Sequence, residues 1–221
     1  MRFRDRRQAG RALADRLRAL RDAGALEDPV VLALPRGGVA VAREVALALD
    51  APLDVLVVRK IGAPFQEEFG VGAIAGDDEP LYDGRTLRRL GLTEAALAPV
   101  VARERAELRR REQRYRQGRP APDLRGRTVI VVDDGLATGS TARAALRAVR
   151  RREPAKVVLA VPVSSPEAAR LLRAEADEVV CLHEPAAFLA VGVWYEDFEQ
   201  LTDEDVLEAL HGRRTVRHRG M

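Results

Sequence analysis

Five short runs of apolar residues alternate with helical segments along this chain, and the alternation constrains the fold more than any other feature. The runs VVLAL, LDVLVV, TVIVV, KVVLAVPV and EVVCL begin at residues 30, 53, 128, 156 and 178. Near-continuous Val, Ile and Leu strands are typical of parallel sheets covered by helices on both faces. The sequence therefore predicts an α/β fold with a central, mostly parallel sheet. Ligands of such sheets lie beyond the carboxyl ends of the strands.

The composition excludes several classes of protein. A single Cys excludes a disulfide framework and a Cys-based zinc cluster. No apolar run is long enough to cross a membrane, and the N-terminal residues lack the apolar stretch of a signal peptide. We therefore expect a cytoplasmic protein with no membrane contact. The 37 Lys and Arg residues nearly balance the 34 Asp and Glu residues, so we do not expect nucleic-acid binding from charge alone.

The most informative segment is VIVVDDGLATGST, from Val129 to Thr141. A buried strand ends in the carboxylates of Asp133 and Asp134, and a loop rich in small residues leads into a helix. Backbone N–H groups at a helix N-terminus bind anions, while a carboxylate pair accepts hydrogen bonds from a diol or holds a divalent cation. A sugar phosphate satisfies both devices. The alternative is an ordinary strand–loop–helix turn that starts at Asp133 and Asp134, with Ser140 or Thr141 as a helix cap.

This segment resembles the motif that binds phosphoribosyl pyrophosphate (PRPP) in type I phosphoribosyltransferases. The segments FRDRRQAGRALA, LPRGGVAVA, VRKIGAP and AVGVWYEDFEQLTDEDV extend the resemblance over nearly the whole chain, and it is closest to functionally unassigned bacterial members. The resemblance implies one phosphoribosyltransferase domain over residues 1–221, with its core at about 28–60 and 125–185. A flexible lid and a basic helix are expected at about 61–120, and a small variable hood at about 1–24 and 186–211.

The resemblance also implies roles for individual residues. The ribose hydroxyls, partly through Mg²⁺, would be held by Asp133 and Asp134. The 5′-phosphate would be held by Ala137, Thr138, Gly139, Ser140 and Thr141. The pyrophosphate would be held by Pro35, Arg36, Gly37 and Gly38, together with Arg59 and Lys60 at the end of the second strand. The residues themselves also leave a helix-capping turn at PRGG, and a surface charge pair at 59–60, as alternatives.

The implied reaction is displacement of pyrophosphate from PRPP by a nitrogenous base or a related nucleophile, with Mg²⁺ as the cofactor. Trp194 and Tyr195 are candidates to stack on a flat acceptor, although they equally suit packing of the C-terminal segment. Ala137 stands where 6-oxopurine enzymes carry an Asp, which argues against a hypoxanthine or guanine acceptor. The acceptor itself stays open, including a non-base amine or alcohol, and a homodimer is one alternative for the assembly.

A second hypothesis concerns the segment between Gly91 and Gly118, which is predicted to be helical and carries a thin apolar stripe. Its arginines suit a solvated face paired to glutamates at i,i+4, a contact within an oligomer, or a contact with a polyanion. The last of these would suit a regulatory protein that senses PRPP and binds nucleic acid without turnover. Further predictions are a helix over residues 5–21 capped by Asp5, a small hairpin at VGAIA–GDDEP and a frayed tail from His211 onward.

Overall fold

The structure is a computed structural model that describes residues 2–76 and 78–212, apart from the side chains of Glu67 and Glu68. The strands are β1 (Pro29–Ala33), β2 (Leu53–Val55), β3 (Val58–Ala63), β4 (Gln66–Ala75), β5 (Leu81–Tyr82), β6 (Thr128–Val132), β7 (Lys156–Val163) and β8 (Glu178–His183). The helices are α1 (Arg6–Asp22), α2 (Gly37–Leu49), α3 (Gly84–Leu90), α4 (Glu94–Arg116), α5 (Ser140–Arg150), α6 (Pro166–Leu172) and α7 (Asp203–His211), with a short 3₁₀ helix at Val191–Trp194. Of the predicted frayed tail, residues 213–221 lie outside the described residues, whereas His211 is the last residue of α7.

Four of the predicted apolar runs and the first half of the second form the central sheet, in the order β2-β1-β6-β7-β8, and every neighbouring pair is parallel. Alternate residues of these strands point to opposite faces. Val31 and Ile130 belong to the core that α1 and α2 cover, whereas Leu32 and Val131 belong to the core under α5 and α6. This double burial confirms the predicted α/β fold with helices on both faces.

The N-terminal helix begins where the sequence predicts it. The side chain of Asp5 accepts a hydrogen bond from the backbone N–H of Gln8 at 2.6 Å, which caps α1. Its apolar stripe, which includes Leu13 and Leu17, is fully buried against the sheet and α2. The first residue of the helix, Arg6, is also buried, which its charge alone does not predict.

The second apolar run does not form one strand. It divides into β2, at the edge of the parallel sheet, and β3, which opens a separate antiparallel sheet of β3, β4 and β5. The expectation that Arg59 and Lys60 end a strand of the parallel sheet is therefore wrong, because both lie within β3. The VGAIA segment pairs with β3 as well as with β5, so the expected small hairpin is part of a larger sheet.

The arginine-rich helix is packed against the protein along one stripe. Leu97, Leu108 and Tyr115 of α4 are completely buried, and α4 contacts β2, β3, β4 and α7. Its length is 23 residues, and Thr93 caps its first turn. No helix among the described residues is long and apolar enough to cross a membrane.

We expect Leu108→Ala to destabilise the protein by about 2–5 kcal/mol, because it removes a fully buried side chain and leaves a cavity beneath α4. Chemical denaturation measures the free energy of unfolding. Leu189→Ala is the matched control, since this leucine is 88% exposed and its loss should change stability by less than about 0.5 kcal/mol. Equal effects of the two substitutions would contradict the docking of α4.

A second prediction concerns acid stability. Hydrogen bonds from Arg147, the largest cause, and from Arg143 lower the pKa of Glu175 to about 2. Because the folded-state pKa lies below the ordinary value of 4.5, this stabilisation is present at neutral pH and is lost as the pH falls towards 2. Glu175→Gln should therefore lower Tm at neutral pH, and the Tm gap to wild type should narrow between about pH 5 and about pH 3. Glu27→Gln, at an exposed position, is the control, and a gap that stays constant over this range would refute the prediction.

Candidate functional site

Two loops leave the carboxyl edge of the sheet side by side. β1 and β6 are paired in register, with Ala33 opposite Val132, and the N–H of Leu34 donates to the carbonyl of Val132 at 2.9 Å. The PRGG loop follows β1, and the DDGLATGST loop follows β6. The sequence places these two loops about 100 residues apart, and the strand pairing brings them into contact.

The two glycines of PRGG permit this contact. A methyl group at Gly37 would lie 1.9 Å from Oδ2 of Asp134, and one at Gly38 would lie 2.7 Å from the carbonyl oxygen of Val132. Any side chain at either position would push the loops apart. The peptide bond between Pro35 and Arg36 is cis, and Arg36 takes the N-cap position of α2.

The two carboxylates share one enclosed environment. Oδ1 of Asp133 accepts a hydrogen bond from the backbone N–H of Asp134 at 2.9 Å. Burial, and then the neighbouring carboxylate of Asp134, raise the pKa of Asp133 well above its ordinary value, while the charge of Arg6 acts in the opposite direction. A cation or a set of hydroxyl donors placed at this pair would be favoured electrostatically.

The acid pair has the donor chemistry that Mg²⁺ requires. Mg²⁺ prefers oxygen ligands and is commonly held by one or two carboxylates together with substrate phosphates. Within the described residues, no group of three or more His, Cys, Asp or Glu side chains is arranged to hold a metal. Asp133 and Asp134 therefore fit an ion that a phosphorylated ligand helps to bind, rather than an all-protein cage.

The loop after the acid pair packs against α6, while several of its residues are exposed to solvent. Gly139 adopts a φ of 73° at the start of α5, and a side chain there would meet Leu172 of α6. The hydroxyl of Ser165 donates to the carbonyl of Ala137 at 2.7 Å, which fixes the middle of the loop. Thr138 and Ser140 are exposed; their hydroxyls lie 3.2 Å apart, and the N–H of Ser140 donates to Oγ1 of Thr138 at 3.4 Å. An anion bound at the start of α5 would replace these local contacts.

The two predicted basic residues, Arg59 and Lys60, lie on the hairpin of β3 and β4 and differ in their contacts. The guanidinium of Arg59 donates twice to Oε2 of Glu104 on α4, at 2.9 and 2.6 Å, and Glu104 is 7% exposed. Lys60 is exposed. The segment expected to form a lid is largely strand, with its turn at Pro64 and Phe65.

The two candidate stacking residues also differ from each other. Tyr195 is 4% exposed, and its ring lies between Phe3 and Phe198, with centroids 5.7 and 5.0 Å away. Both neighbours cover the ring, so the interpretation of Tyr195 as a stacking platform does not suit this arrangement. Trp194 is half-buried, and its Nε1 is enclosed with no hydrogen-bond partner among the described residues.

Three residues of the site are absent from the sequence-based prediction. Arg6 donates from Nε to Oδ2 of Asp134 at 2.8 Å, Glu104 binds Arg59, and Ser165 supports the loop through Ala137. Arg6 lies within FRDRRQAGRALA, one of the segments that carry the family resemblance, and that was the available signal. The partners of Glu104 and Ser165 depend on long-range packing.

The chain is similar to several known proteins. The sequence matches the family model of the phosphoribosyl transferase domain over residues 4–197. A Mycobacterium tuberculosis protein named "Putative phosphoribosyl transferase" is 48% identical over 208 residues, which is 94% of this chain and 46% of that protein. The chain thus spans about half the length of these curated relatives.

Two further similarities differ in extent. The crystal structure of TT1426 from Thermus thermophilus has a TM-score of 0.82 and 50% sequence identity, and the match covers 95% of this chain and 98% of that one. A protein of Clostridium novyi named bifunctional protein PyrR is 32% identical over 139 residues, which is 62% of this chain and 58% of that protein.

The packing of the two loops makes a specific prediction for Gly37→Ala. The added methyl group would overlap Oδ2 of Asp134, so the loop or the carboxylate must move, at a cost of about 1–3 kcal/mol in the free energy of unfolding. The control is Gly70→Ala, where nothing lies within 4 Å of the added methyl group. Denaturant unfolding measures the free energy of unfolding of both variants. A Gly37→Ala protein as stable as the control would show that the loops are not in contact.

Proposed function

Because the chain belongs to the phosphoribosyl transferase domain family, we propose that it displaces pyrophosphate from PRPP with a nitrogenous base or a related nucleophile to give a nucleotide. One observation carries the proposal. The acid pair, the anion-binding loop after it and the PRGG loop meet at the adjoining ends of β1 and β6. These three features correspond to the ribose, the 5′-phosphate and the pyrophosphate of a single donor molecule.

Each part of PRPP has a proposed partner. The carboxylates of Asp133 and Asp134 accept hydrogen bonds from the ribose 2′- and 3′-hydroxyls. The 5′-phosphate binds the backbone N–H groups and hydroxyls of the loop, namely Ala137, Thr138, Gly139, Ser140 and Thr141. The pyrophosphate binds the loop formed by Pro35, Arg36, Gly37 and Gly38, where the absence of side chains at the glycines admits close backbone contact.

The reaction breaks the bond between C1 of the ribose and the pyrophosphate oxygen, and that oxygen keeps the electron pair. The nucleophile's nitrogen forms the new bond to C1 and then loses its proton to solvent or to a nearby base. Positive charge develops on the ribose and negative charge on the leaving group. The guanidinium of Arg36 and backbone amides at the N-terminus of α2 stabilise the latter. Mg²⁺, held with the help of Asp133 and Asp134, would neutralise further phosphate charge.

The two basic residues of the β3–β4 hairpin, Arg59 and Lys60, have different roles in this proposal. Lys60 is exposed, and its flexible ammonium is the proposed contact to the pyrophosphate. Arg59 is tied to Glu104, so it contacts pyrophosphate only if it exchanges that carboxylate for the ligand. The ion pair thus favours a structural role for Arg59 in the arrangement described.

The acceptor is proposed to lie under the hood formed by the N-terminal residues and the segment after β8. Trp194 is partly exposed beside the buried Tyr195, as are Phe188 and Phe198 of the same region. Ala137 contributes no carboxylate to the loop, so an acceptor that needs a general acid from this position does not suit the site. A purine with a 6-oxo group is such an acceptor.

The nucleic-acid hypothesis gains no support from the described residues. The arginines of α4 have partners within the protein, among them Glu107 for Arg110 and Arg111, and Asp54 for Arg116. The i,i+4 pairing expected from the sequence occurs between Glu107 and Arg111. These carboxylates offset part of the positive charge of α4, which weakens its attraction for a phosphate backbone.

The test is binding and turnover of PRPP in the presence of Mg²⁺. Calorimetry should detect PRPP binding to the wild-type protein, and a panel of bases should elicit release of pyrophosphate. Asp134→Asn should weaken PRPP binding roughly ten- to a hundred-fold, because a charged acceptor of hydroxyl groups becomes neutral. Asp22→Asn, at an exposed position on α1, should bind PRPP as the wild type does.

Two results would count against the proposal. A wild-type protein that binds no PRPP would exclude the donor site altogether. PRPP binding that leads to no pyrophosphate release with any base, together with salt-sensitive binding of RNA or DNA, would favour the regulatory alternative.

A further inference from the structure

Arg6, the first residue of α1, places a buried positive charge next to the carboxylate of Asp134. Arg6 is 9% exposed, and its Nε donates to Oδ2 of Asp134 at 2.8 Å. The two side chains are 10% and 13% exposed, so the ion pair is largely shielded from water. A charged hydrogen bond in such a setting is stronger and more sensitive to geometry than one at the surface.

The same guanidinium is held from two other directions. One of its terminal nitrogens donates to the carbonyl of Glu199 at 2.8 Å, and its carbon lies 3.9 Å from the centre of the Phe198 ring. Cation–π contact of this kind stabilises a buried guanidinium and fixes its plane. Arg6 therefore joins three parts of the chain that are distant in sequence, namely the start of α1, the segment after the 3₁₀ helix and the end of β6.

The C-terminal segment reaches the acid pair by a second route. The hydroxyl of Tyr195 donates to the backbone carbonyl of Asp134 at 2.6 Å. The backbone of Phe3 is bonded on both sides of this tyrosine, since its N–H donates to Trp194 and its carbonyl accepts from Glu196, both at 2.8 Å. The N-terminal and C-terminal segments that form the hood thus meet at Asp134, with Arg6 on its side chain and Tyr195 on its main chain.

Pairing with Arg6 does not exhaust the acceptor capacity of Asp134. Arg6 engages Oδ2 only, whereas an ionised carboxylate offers two oxygens and about four acceptor directions. A fixed partner on one oxygen restricts the rotation of the carboxylate. The other oxygen is then presented in a defined direction.

We propose that Arg6 is a positioning residue, which orients the carboxylate of Asp134 towards the ribose of PRPP and couples the hood to the donor site. The inference rests on the proposed function, since it concerns how PRPP is held. Arg6 itself acts through Asp134 and Phe198. The planar fork of an arginine suits this role better than the single ammonium of a lysine, because it spans a carboxylate, a carbonyl and an aromatic ring at once.

A purely structural role for Arg6 predicts different behaviour. In that case removing Arg6 would lower stability, and any loss of PRPP affinity would be independent of Asp134. If Arg6 acts through Asp134, its removal should matter little once Asp134 can no longer present a charged oxygen. A double-mutant cycle distinguishes these cases, since it measures the coupling of two residues directly.

The experiment measures PRPP binding in Mg²⁺ by calorimetry for the wild type, Arg6→Met, Arg6→Lys, Asp134→Asn and the double variant Arg6→Met with Asp134→Asn. Arg6→Met should weaken PRPP binding roughly ten-fold or more, and Arg6→Lys should recover part of the loss. In the Asp134→Asn background the same change should have less than about a two-fold further effect. Arg16→Met, on the exposed side of α1, is the matched control and should bind PRPP normally.

The chain's single tryptophan gives a second measurement. Trp194 lies in the hood next to Tyr195, so its fluorescence reports on the hood directly. We expect PRPP to shift the Trp194 emission of the wild type with the midpoint found by calorimetry. In Arg6→Met the shift should be lost even at saturating PRPP.

The outcomes separate the two proposals. PRPP binding by Arg6→Met with wild-type affinity, or an equal loss in both backgrounds of Asp134, would overturn the positioning role and leave the proposed function intact. The same holds for a wild-type-like Trp194 response in Arg6→Met. Failure of the wild-type protein to bind PRPP would overturn the proposed function, and the role of Arg6 with it.

Discussion

The parallel pairing of β1 with β6 is the constraint on which the rest of the structure depends. These strands are about 100 residues apart in sequence, yet they pair along their full lengths from Pro29 opposite Thr128 to Ala33 opposite Val132. The register decides that both strands end at the same level, so the PRGG and DDGLATGST loops leave the sheet together. Gly37 and Gly38 then let the loops touch. A slip of one residue would turn every buried side chain of β1 to the opposite face of the sheet. The packing of the core therefore fixes the register, and with it the relative position of the two loops.

Several charged side chains near the candidate site lie in ion pairs instead of forming a patch of one sign. The chain uses arginine in nearly every basic position, and two arginines of the candidate site are bound to carboxylates, Arg59 to Glu104 and Arg6 to Asp134. Buried ion pairs of this kind contribute little to stability relative to apolar packing, but losing one partner is costly because it leaves an unpaired charge. Their value here is geometric. They fix the direction of the groups that a phosphorylated sugar would meet.

The hood shows why part of the site could not be predicted from the sequence. Trp194, Tyr195 and Phe198 stand out in a chain with 4% aromatic residues, and their spacing is equally consistent with stacking on a ligand and with packing. The fold decides between these for Tyr195, because Phe3 arrives from the other end of the chain and covers its ring. Similarly, the hairpin of β3 and β4 is rich in glycine and acidic residues, which is typical of a mobile loop, but the segment forms a ten-residue strand because β3 and β5 pair with it on both sides.

By itself the sequence determined the parallel sheet, the Asp5 cap of α1, the buried stripe of α4 and the two loops most suited to a sugar phosphate. These features follow from local periodicity, capping residues and glycine, which act over a few residues. Only the tertiary structure decided that the second apolar run divides between two sheets, that Arg59 faces Glu104, and that Arg6 is buried on Asp134. Each of these depends on which charged or aromatic side chain is brought close by a distant segment. The free energy of such a contact depends on burial and geometry that no local pattern encodes.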